Sequence, residues 1–374
     1  MNNTTNATDI PEYESDSSWW DWNTFFLAFF IIVMIVTIFG NSLVCIAVYV
    51  YRRLHSPTNW FIASLAVSDF LYASASLPFR ILSNVTIIQD VWICKTWIWV
   101  DMACAAASIA NLVVISVDRH LKITKPFVYR RKMTNLRSVL AIGGVWLYAA
   151  TLSTLSIIAW PGARGVRLSA YGLCTNTNKT FYTVVNIVAF LFPLTVLVTC
   201  YSMILRTVWI QFKRRQHMTA NFSSKEDRHT RKSARREFKV TKTIAIVLLT
   251  FTLCWAPFFI VFTIQQYDMS LLRPIPEVLF YLIVMILPNL NSTLNPMIYA
   301  YFNTEFRIAF KKIVVSIWGE RARQHNSSLT SFSKTTFARR GTPPSENDND
   351  NRNQGQQKED RQSSLIEDTI ITQI

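Results

Sequence analysis

Seven apolar runs divide this chain of 374 residues, and each is long enough to cross the roughly 30 Å hydrocarbon core of a bilayer. They lie at about 24–51, 58–83, 94–118, 137–160, 181–206, 240–265 and 276–301, and are called here the first to the seventh span. Because backbone groups in lipid need partners within their own segment, each run is predicted to be a helix. The predicted fold is an all-α membrane protein, a seven-transmembrane helix bundle with a short amphipathic helix after the seventh span.

The charged residues outside the spans predict how the chain is oriented. The first 23 residues carry five acidic residues and no Lys or Arg, whereas the loops after the first, third and fifth spans are basic. By the positive-inside rule the N-terminus is outside and the C-terminus is cytoplasmic, as in a multi-pass plasma-membrane protein. The net charge of +15 is then a property of cytoplasmic loops, and no nucleic-acid partner is expected.

The predicted outer side contains sequons and two cysteines. Cys94 begins the third span and Cys174 precedes the fifth, so both face an oxidising compartment, where a disulfide between them is favoured over two free thiols. Candidate N-glycosylation sites begin N-x-Ser/Thr sequons at Asn2, Asn3, Asn6, Asn84 and Asn178.

The chain is therefore expected to have four parts. Residues 1–23 form an extracellular glycosylated N-terminus, 24–301 the bundle, 302–318 an amphipathic helix on the membrane surface and 319–374 a disordered cytoplasmic tail. The helix is predicted from Phe302, Phe306, Phe310 and Ile313, which recur at helical spacing between basic residues. No glycine-rich phosphate loop or Cys/His metal cluster occurs, and an enzyme is not expected.

The third span contains an isolated acid and ends in a charged cluster. Arg119 lies 18 residues after Asp101, an interval of about 27 Å along one face of a helix. A lone carboxylate at membrane depth marks a functional site, because its insertion costs about 2.5–3.5 kcal/mol. The span thus places a candidate cation-binding group near one membrane surface and a guanidinium near the other, which indicates a receptor. The alternative is a transporter or channel in which Asp69, Ser108 and Asn295 line a polar path.

Short motifs occur once in each span, in a fixed order. They are Gly40-Asn41, Leu65-Ala66-Val67-Ser68-Asp69, Asp118-Arg119-His120, Trp146, Pro193 with Tyr201, Cys254-Trp255-Ala256-Pro257 and Asn295-Pro296-Met297-Ile298-Tyr299. Over residues 24–318 the chain thereby resembles the rhodopsin-like (family 1) G-protein-coupled receptors, and is most similar to the biogenic-amine receptors. The resemblance implies a ligand-gated activator of heterotrimeric G proteins.

The resemblance also assigns roles within the bundle. It implies that Arg119 bonds Glu237 in the resting state and that Arg119, Pro126 and Phe127 contact the G protein. The implied activation switch consists of Asp118, Arg119, Glu237, Tyr201, Asn295, Pro296, Tyr299, Ile109, Pro193 and Phe251. A sodium ion is implied as an allosteric ligand of Asp69, Ser108, Asn291 and Asn295, with a protonated Asp69 as the alternative. No other cofactor is expected.

The ligand is expected to be a small extracellular amine. Asp101 aligns with the acid that binds the protonated amine in amine receptors. The expected ligand-binding residues are Asp101, Met102, Val185, Asn186, Ala189, Trp255, Phe258, Phe259, Met285 and Asn289. The chain departs from amine receptors at Asn289, where they have Tyr, and lacks the serines that bind a catechol. A catechol and acetylcholine are therefore disfavoured, and a ligand that is not an amine stays open.

Further partners are expected on the cytoplasmic side. The Ser/Thr run at 327–336 suits a receptor kinase and arrestin, and the basic loops suit membrane lipid. Thr372-Gln373-Ile374 has the pattern of a PDZ-binding terminus.

Overall fold

The computed structural model describes the backbone of residues 18–85, 90–160, 165–168, 174–176, 178–218 and 225–317. Side chains are described at 24–82, 90–160, 165–168, 174, 176, 178–207, 209–210, 243–268, 270–276 and 278–317. Residues Met1–Ile313 form one compact unit. Of a second unit, Val314–Ile374, the described part is the helical segment 314–317.

Seven helices in the described part are long and apolar enough to cross a membrane, which confirms the predicted fold class. Their membrane spans are Thr24–Val50, Pro57–Leu82, Val91–Thr124, Asn135–Ile157, Lys179–Thr207, Thr243–Tyr267 and Val278–Phe302. The helices themselves are longer at several ends: the first begins at Ser18, the fifth reaches Met218 and the sixth begins at Lys225. Short helical segments connect them at Arg52–Leu54, Pro126–Lys132 and Met269–Leu272.

Several helices begin at a residue whose side chain accepts a hydrogen bond from the first turn. Such a cap satisfies one of the amide groups that a helix N-terminus leaves without a partner. The pairs are Ser56 with the Asn59 amide (3.4 Å), Asp90 with Trp92 (2.8 Å), Thr134 with Arg137 (3.3 Å) and Asn178 with Phe181 (3.0 Å).

Three spans contain a π-helical turn just before a proline. The turns are Tyr72–Ser76, Asn186–Leu191 and Leu282–Ile286, and the prolines that follow are Pro78, Pro193 and Pro288. Proline lacks an N–H and its ring clashes with the carbonyl four residues earlier, which in each case lies inside the π turn. The wider turn accommodates that carbonyl, and it rotates the residues on either side of it relative to a regular α-helix.

The third span is the centre of the bundle. It packs against the second, fourth and fifth spans, while the first packs against the second and seventh. Apolar side chains on the outer faces are exposed, among them Ile32, Phe39 and Leu147, as expected of surfaces that contact lipid. Many polar groups are instead buried between the helices, among them Asn41, Asp69 and Asn295, which are hydrogen-bonded within the protein.

A small hairpin lies between the fourth and fifth spans. Its strands β1 (Val166–Leu168) and β2 (Cys174–Asn176) are antiparallel, with Leu168 opposite Cys174. Cys174 forms a disulfide with Cys94 at the start of the third span, which confirms the predicted bond. The hairpin is therefore fixed to the end of the span that carries Asp101.

A helix at 304–317 follows the seventh span, as predicted. Phe306, Phe310 and Ile313 are buried, whereas Arg307, Lys311 and Lys312 are exposed. The Phe306 ring stacks on Tyr299 of the seventh span, with 5.6 Å between the ring centroids. The sequence placed Phe302 in this helix, but it is the last residue of the preceding one.

Candidate ligand-binding site

A cavity of about 570 Å³ opens between the second, third, fifth, sixth and seventh spans, and the β1–β2 hairpin contributes to its wall. Nine of the ten predicted ligand-binding residues line it: Asp101, Met102, Val185, Ala189, Trp255, Phe258, Phe259, Met285 and Asn289. Residues that the sequence analysis did not select also line it, including Tyr72, Arg80, Trp97, Asn176, Tyr182, Phe262, Gln265 and Gln266.

Asn186 is the predicted member that is absent from the described cavity wall. Its side-chain amide donates a hydrogen bond to the Thr263 hydroxyl, linking the fifth span to the sixth. Asn186 begins the π-helical turn before Pro193, and that turn changes which side chains face the cavity. Contact of Asn186 with the ligand therefore stays a prediction, and in the structure its side chain joins two helices.

Asp101 is held by two side chains of the second span. The Ser76 hydroxyl donates a hydrogen bond to Asp101 Oδ1 at 2.5 Å, and Arg80 Nη2 lies 3.6 Å from the same oxygen. The carboxylate thus has a cationic partner within the protein. Arg80 lies near the outer end of the second span, which ends at Leu82. A charge within a predicted span is a recognisable signal in the sequence, yet Arg80 was not among the predicted site residues.

The Arg80 side chain is itself positioned by the cavity wall. Its guanidinium carbon lies 5.7 Å from the centre of the Trp97 ring, within range of a cation–π contact, and Nη1 donates to Met285 Sδ at 3.4 Å. Trp97 is in turn stacked on Phe79, with ring centroids 5.3 Å apart. Arg80 is therefore directed toward the third and seventh spans rather than toward lipid.

Asn289 connects the seventh span to the second. The Tyr72 hydroxyl donates to Asn289 Oδ1 at 2.5 Å, and Asn289 Nδ2 donates to the Met285 carbonyl. Asn289 is only 1% exposed. Its amide group therefore closes one side of the cavity, while Asp101 interacts with the second span.

The opposite wall is aromatic. The Trp255 ring meets Phe258 edge-on with centroids 5.6 Å apart, and Phe258 stacks on Phe262 at 5.5 Å. Phe259 stacks on Phe190 of the fifth span at 4.2 Å. These rings offer apolar faces that can pack against a ring or bind a cation.

A second polar cluster surrounds Asp69 between the second, third and seventh spans. Ser292 Oγ donates to Asp69 Oδ1 at 2.8 Å, Ser108 Oγ donates to the same oxygen at 3.2 Å and Asn295 Nδ2 donates to Oδ2 at 2.8 Å. In the described part of the chain, Asn291 Oδ1 is buried and accepts no hydrogen bond. The cluster brings together Asp69, Ser108 and Asn295 as predicted, and its carboxylate, hydroxyl and amide oxygens are the ligand types of a hard cation.

Three residues of the predicted activation switch, Ile109, Pro193 and Phe251, are buried within the bundle. Ile109 and Phe251 are 2% and 1% exposed, and Pro193 is also buried. The Phe251 ring lies 6.5 Å from that of Trp255, which lines the cavity. A ligand that moves Trp255 would therefore act directly on a packed residue of the sixth span.

At the other end of the third span, Asp118 accepts two hydrogen bonds. Thr58 donates to Oδ2 and the Tyr129 hydroxyl donates to Oδ1 at 2.7 Å, while Arg119 Nε lies 3.9 Å from Oδ2. Burial, and secondly the charge of Asp118, raise the pKa of Tyr129 above its usual range. The pKa of Tyr129 therefore keeps its phenol protonated as a donor.

Two tyrosines of the predicted switch lie in the bundle. Tyr299 is buried against Phe306, and the Tyr201 hydroxyl is buried with no hydrogen-bond partner among the described residues. The side chain of Glu237 lies outside the described residues, and so does its predicted bond to Arg119. In the short helix Pro126–Lys132, Pro126 occupies the first turn and Phe127 is 87% exposed.

One predicted glycosylation site has a structural role. Asn178 is 1% exposed, its Oδ1 caps the helix that begins at Lys179, and its Nδ2 is buried. Because a glycan would be attached through that buried nitrogen, we assign Asn178 as a helix cap, which corrects the prediction. Asn2, Asn3 and Asn6, the side chain of Asn84, and Thr372-Gln373-Ile374 lie outside the described residues.

Seven membrane-spanning helices, a cavity at one end of the third span and a buried Asp118–Arg119 pair at its other end define a seven-transmembrane receptor. The sequence matches the family described as 7 transmembrane receptor (rhodopsin family) over residues 40–299, and the chain belongs to this family. The family is one of receptors in the membrane, so this chain is a multi-pass membrane protein.

Curated relatives cover most of the chain. It is 34% identical over 306 residues to the D(5)-like dopamine receptor of Takifugu rubripes, which covers 75% of this chain and 65% of that receptor. It is 33% identical over 300 residues to the D(1)-like dopamine receptor of Oreochromis mossambicus (76% of each). It is 31% identical over 307 residues to the histamine H2 receptor of Rattus norvegicus (80% and 81%). The predicted resemblance to biogenic-amine receptors is thereby confirmed.

Proposed function

We propose that this chain is a receptor that binds a small ligand with a protonated amine at Asp101 and activates heterotrimeric G proteins. The observation that carries the proposal is the position of Asp101 in the wall of a largely apolar cavity, on the helix that carries Asp118-Arg119 near its other end. Its carboxylate can bind an ammonium group through a charge-assisted hydrogen bond, which is stronger than one between neutral groups. The relatives whose names specify dopamine and histamine support the same ligand class.

The cavity wall argues against two familiar amines. Val185 and Ala189 offer no hydroxyl to a catechol, and Asn186 is already bonded to Thr263. Met102 and Asn289 lie where a cage for a quaternary ammonium would need aromatic rings. The similarity to dopamine receptors therefore supports an amine group in the ligand, but it does not support a catechol ring.

The inner end of the bundle is proposed to carry the signal. The basic loops support an extracellular N-terminus, and in that orientation the cavity would open to the exterior and Phe127 would face the cytoplasm. Arg119 would leave Asp118 and Glu237 as the sixth span moves outward, and the cleft would then admit the G protein beside Pro126 and Phe127. Ligand shifts this equilibrium only by its difference in affinity for the two states.

A sodium ion is proposed as an allosteric ligand of the Asp69 cluster. Asp69, Ser108 and Asn295 are in contact, and Asn291 contributes a buried oxygen without a hydrogen-bond partner among the described residues. Receptor kinase, arrestin and PDZ contacts of the C-terminal tail, membrane lipid at the basic loops and glycans on Asn2, Asn3, Asn6 and Asn84 remain part of the proposal.

Nucleotide exchange on purified G proteins tests the function. Asp101→Asn should weaken every amine agonist by about 30-fold or more, because the ammonium group covered in the complex would lose its charged partner, at a cost of about 2–5 kcal/mol. Arg119→Ala should leave agonist binding within a few-fold and abolish exchange. Amine responses that survive Asp101→Asn would refute the pocket assignment. Ion flux through the purified protein without a G protein would instead support the transporter or channel.

A further inference from the structure

The ligand cavity contains one positive and one negative side chain. Among its described lining residues, Arg80 and Asp101 are the two that are charged at neutral pH, and they contact each other at 3.6 Å. The rest of the wall is aromatic, aliphatic or uncharged polar. The charges of the described lining residues therefore sum to zero, and the Asp101 carboxylate already has a cationic neighbour in Arg80.

This pairing creates a difficulty for a simple amine. An ammonium group next to Asp101 would bring a second cation to a single carboxylate, with Arg80 held nearby by Trp97 and Met285. Two positive charges close together in apolar surroundings repel each other far more strongly than in water. A ligand that carried its own anion would remove this excess charge.

The distance between the two side chains limits where that anion can be. The 3.6 Å separation is longer than the 2.7–2.9 Å or so of a tight charge-assisted hydrogen bond, so the pair is in contact without being closely bonded. Groups that bind Arg80 and Asp101 together must be close neighbours within the ligand. A guanidinium is well shaped to bind a carboxylate through two parallel hydrogen bonds.

We propose that the ligand is zwitterionic, namely an α-amino acid or a close analogue whose ammonium binds Asp101 and whose carboxylate binds Arg80. Its side chain is apolar or aromatic and packs against Trp255, Phe258 and Phe262. The proposal rests on the proposed function, because it keeps Asp101 as the site of the amine, and it specifies what else the ligand contains. Ligand and protein would then form a four-charge cluster that is neutral overall.

Pairs of an amino acid and its decarboxylated amine test the proposal, since the members differ only in the carboxylate. The pairs are L-phenylalanine with phenethylamine, L-tyrosine with tyramine and L-tryptophan with tryptamine. The full-length receptor is purified in buffer free of amino acids, and both agonist-stimulated nucleotide exchange and ligand-induced thermal stabilisation are measured. At least one amino acid should reach its half-maximal effect at a concentration about tenfold or more lower than that of its amine.

Loss of the Arg80 charge should change the potencies of the amino acid and of its amine in opposite directions. Arg80→Gln should weaken the amino acid by about tenfold or more and strengthen the amine, because the competing cation is gone. Arg80→Lys keeps the charge and should retain the preference for the amino acid. If Arg80→Gln does not reach the membrane, the preference of the unaltered receptor decides the question.

Three results would overturn the proposal: an amine that acts on the unaltered receptor as well as its amino acid, a preference unchanged by Arg80→Gln, or no response to any pair. Asp101→Asn separates these failures from failure of the proposed function. If Asp101→Asn abolishes amine responses while Arg80→Gln leaves the ratio unchanged, the receptor binds amines and the carboxylate site is wrong. If Asp101→Asn changes nothing, the amine site itself is wrong.

Discussion

Gly40 of the first span lies directly against the ring of Pro296 in the seventh. A Cβ atom added to Gly40 would lie 2.9 Å from Pro296 Cγ and 3.0 Å from Pro296 Cβ. The proline ring is locked and cannot rotate away, so this contact requires glycine. It brings together the Gly40-Asn41 and Asn295-Pro296 motifs, which the sequence separates by more than half the chain.

Gly40→Ala is therefore expected to destabilise the receptor by about 1–3 kcal/mol through overpacking. Gly144→Ala in the fourth span is a matched control, because nothing lies within 4 Å of its added Cβ. There the more restricted unfolded chain should leave stability equal or raise it by about 0.5–1 kcal/mol. Thermal unfolding of the purified receptor in detergent measures both, and equal melting temperatures for the two variants would contradict the contact.

The bond from Tyr129 to Asp118 should contribute stability that is constant near neutral pH. Because the pKa of Tyr129 is raised in the folded protein, the stabilisation is full below the unfolded pKa of about 10 and is lost as the pH rises through the folded pKa. Tyr129→Phe should cost about 1 kcal/mol between pH 6.5 and 9, and the difference from the unaltered receptor should shrink above pH 10. Melting curves across this range test it. A difference that changes between pH 7 and 9 would assign the effect to another group.

Phe127 should matter for coupling and not for stability. Its side chain is 87% exposed, so Phe127→Ala removes little that is packed within the receptor. If Phe127 docks on the G protein as proposed, its loss should reduce the rate of nucleotide exchange by about tenfold. Leu147→Ala, at a 71% exposed apolar position of the fourth span, should leave exchange unchanged. Equal exchange by the two variants would remove Phe127 from the interface.

The Cys94–Cys174 disulfide should stabilise the hairpin at the cavity. Cys174 lines the cavity and the bond joins positions 80 residues apart, so its removal frees a long segment of chain. Replacing both cysteines with serine is expected to cost about 2–5 kcal/mol of unfolding free energy and to weaken ligand binding. Cys200→Ser, which removes a free thiol, serves as the control. Binding that survives the double replacement would show that the hairpin does not shape the site.

The sequence predicted correctly those features that depend on short stretches of the chain, such as the length of a span and the spacing of residues along one helix. Span length and helical spacing place Asp101 and Arg119 on one helix, and the structure has both in Val91–Thr124. The oxidising compartment predicted for Cys94 and Cys174 was enough to favour a disulfide between them. The family motifs then supplied the cavity positions, because their order along the chain is specific even though each motif is short.

The errors occurred where packing between helices decides the outcome. The charge of Arg80 was visible in the sequence, but its contact with Asp101 depends on how the second and third spans face each other. Asn186 was expected to contact the ligand, and its bond to Thr263 likewise depends on how the fifth and sixth spans face each other. Asn178 satisfies a sequon and a helix cap equally well, and burial distinguishes the two.

The hydrogen bond from Tyr72 to Asn289 provides the most direct test of the cavity wall. Tyr72→Phe keeps the ring and removes the donor, which leaves Asn289 Oδ1 buried without that partner and should cost about 1–3 kcal/mol. Asn289→Ala should cost a similar amount, and the double variant should cost less than the sum of the two, because both single variants remove the same bond. Tyr49→Phe is the control, since Tyr49 is 81% exposed. Thermal unfolding of the unaltered receptor, the two single variants and the double variant measures the coupling, and strict additivity would mean that the second and seventh spans are not joined by this bond.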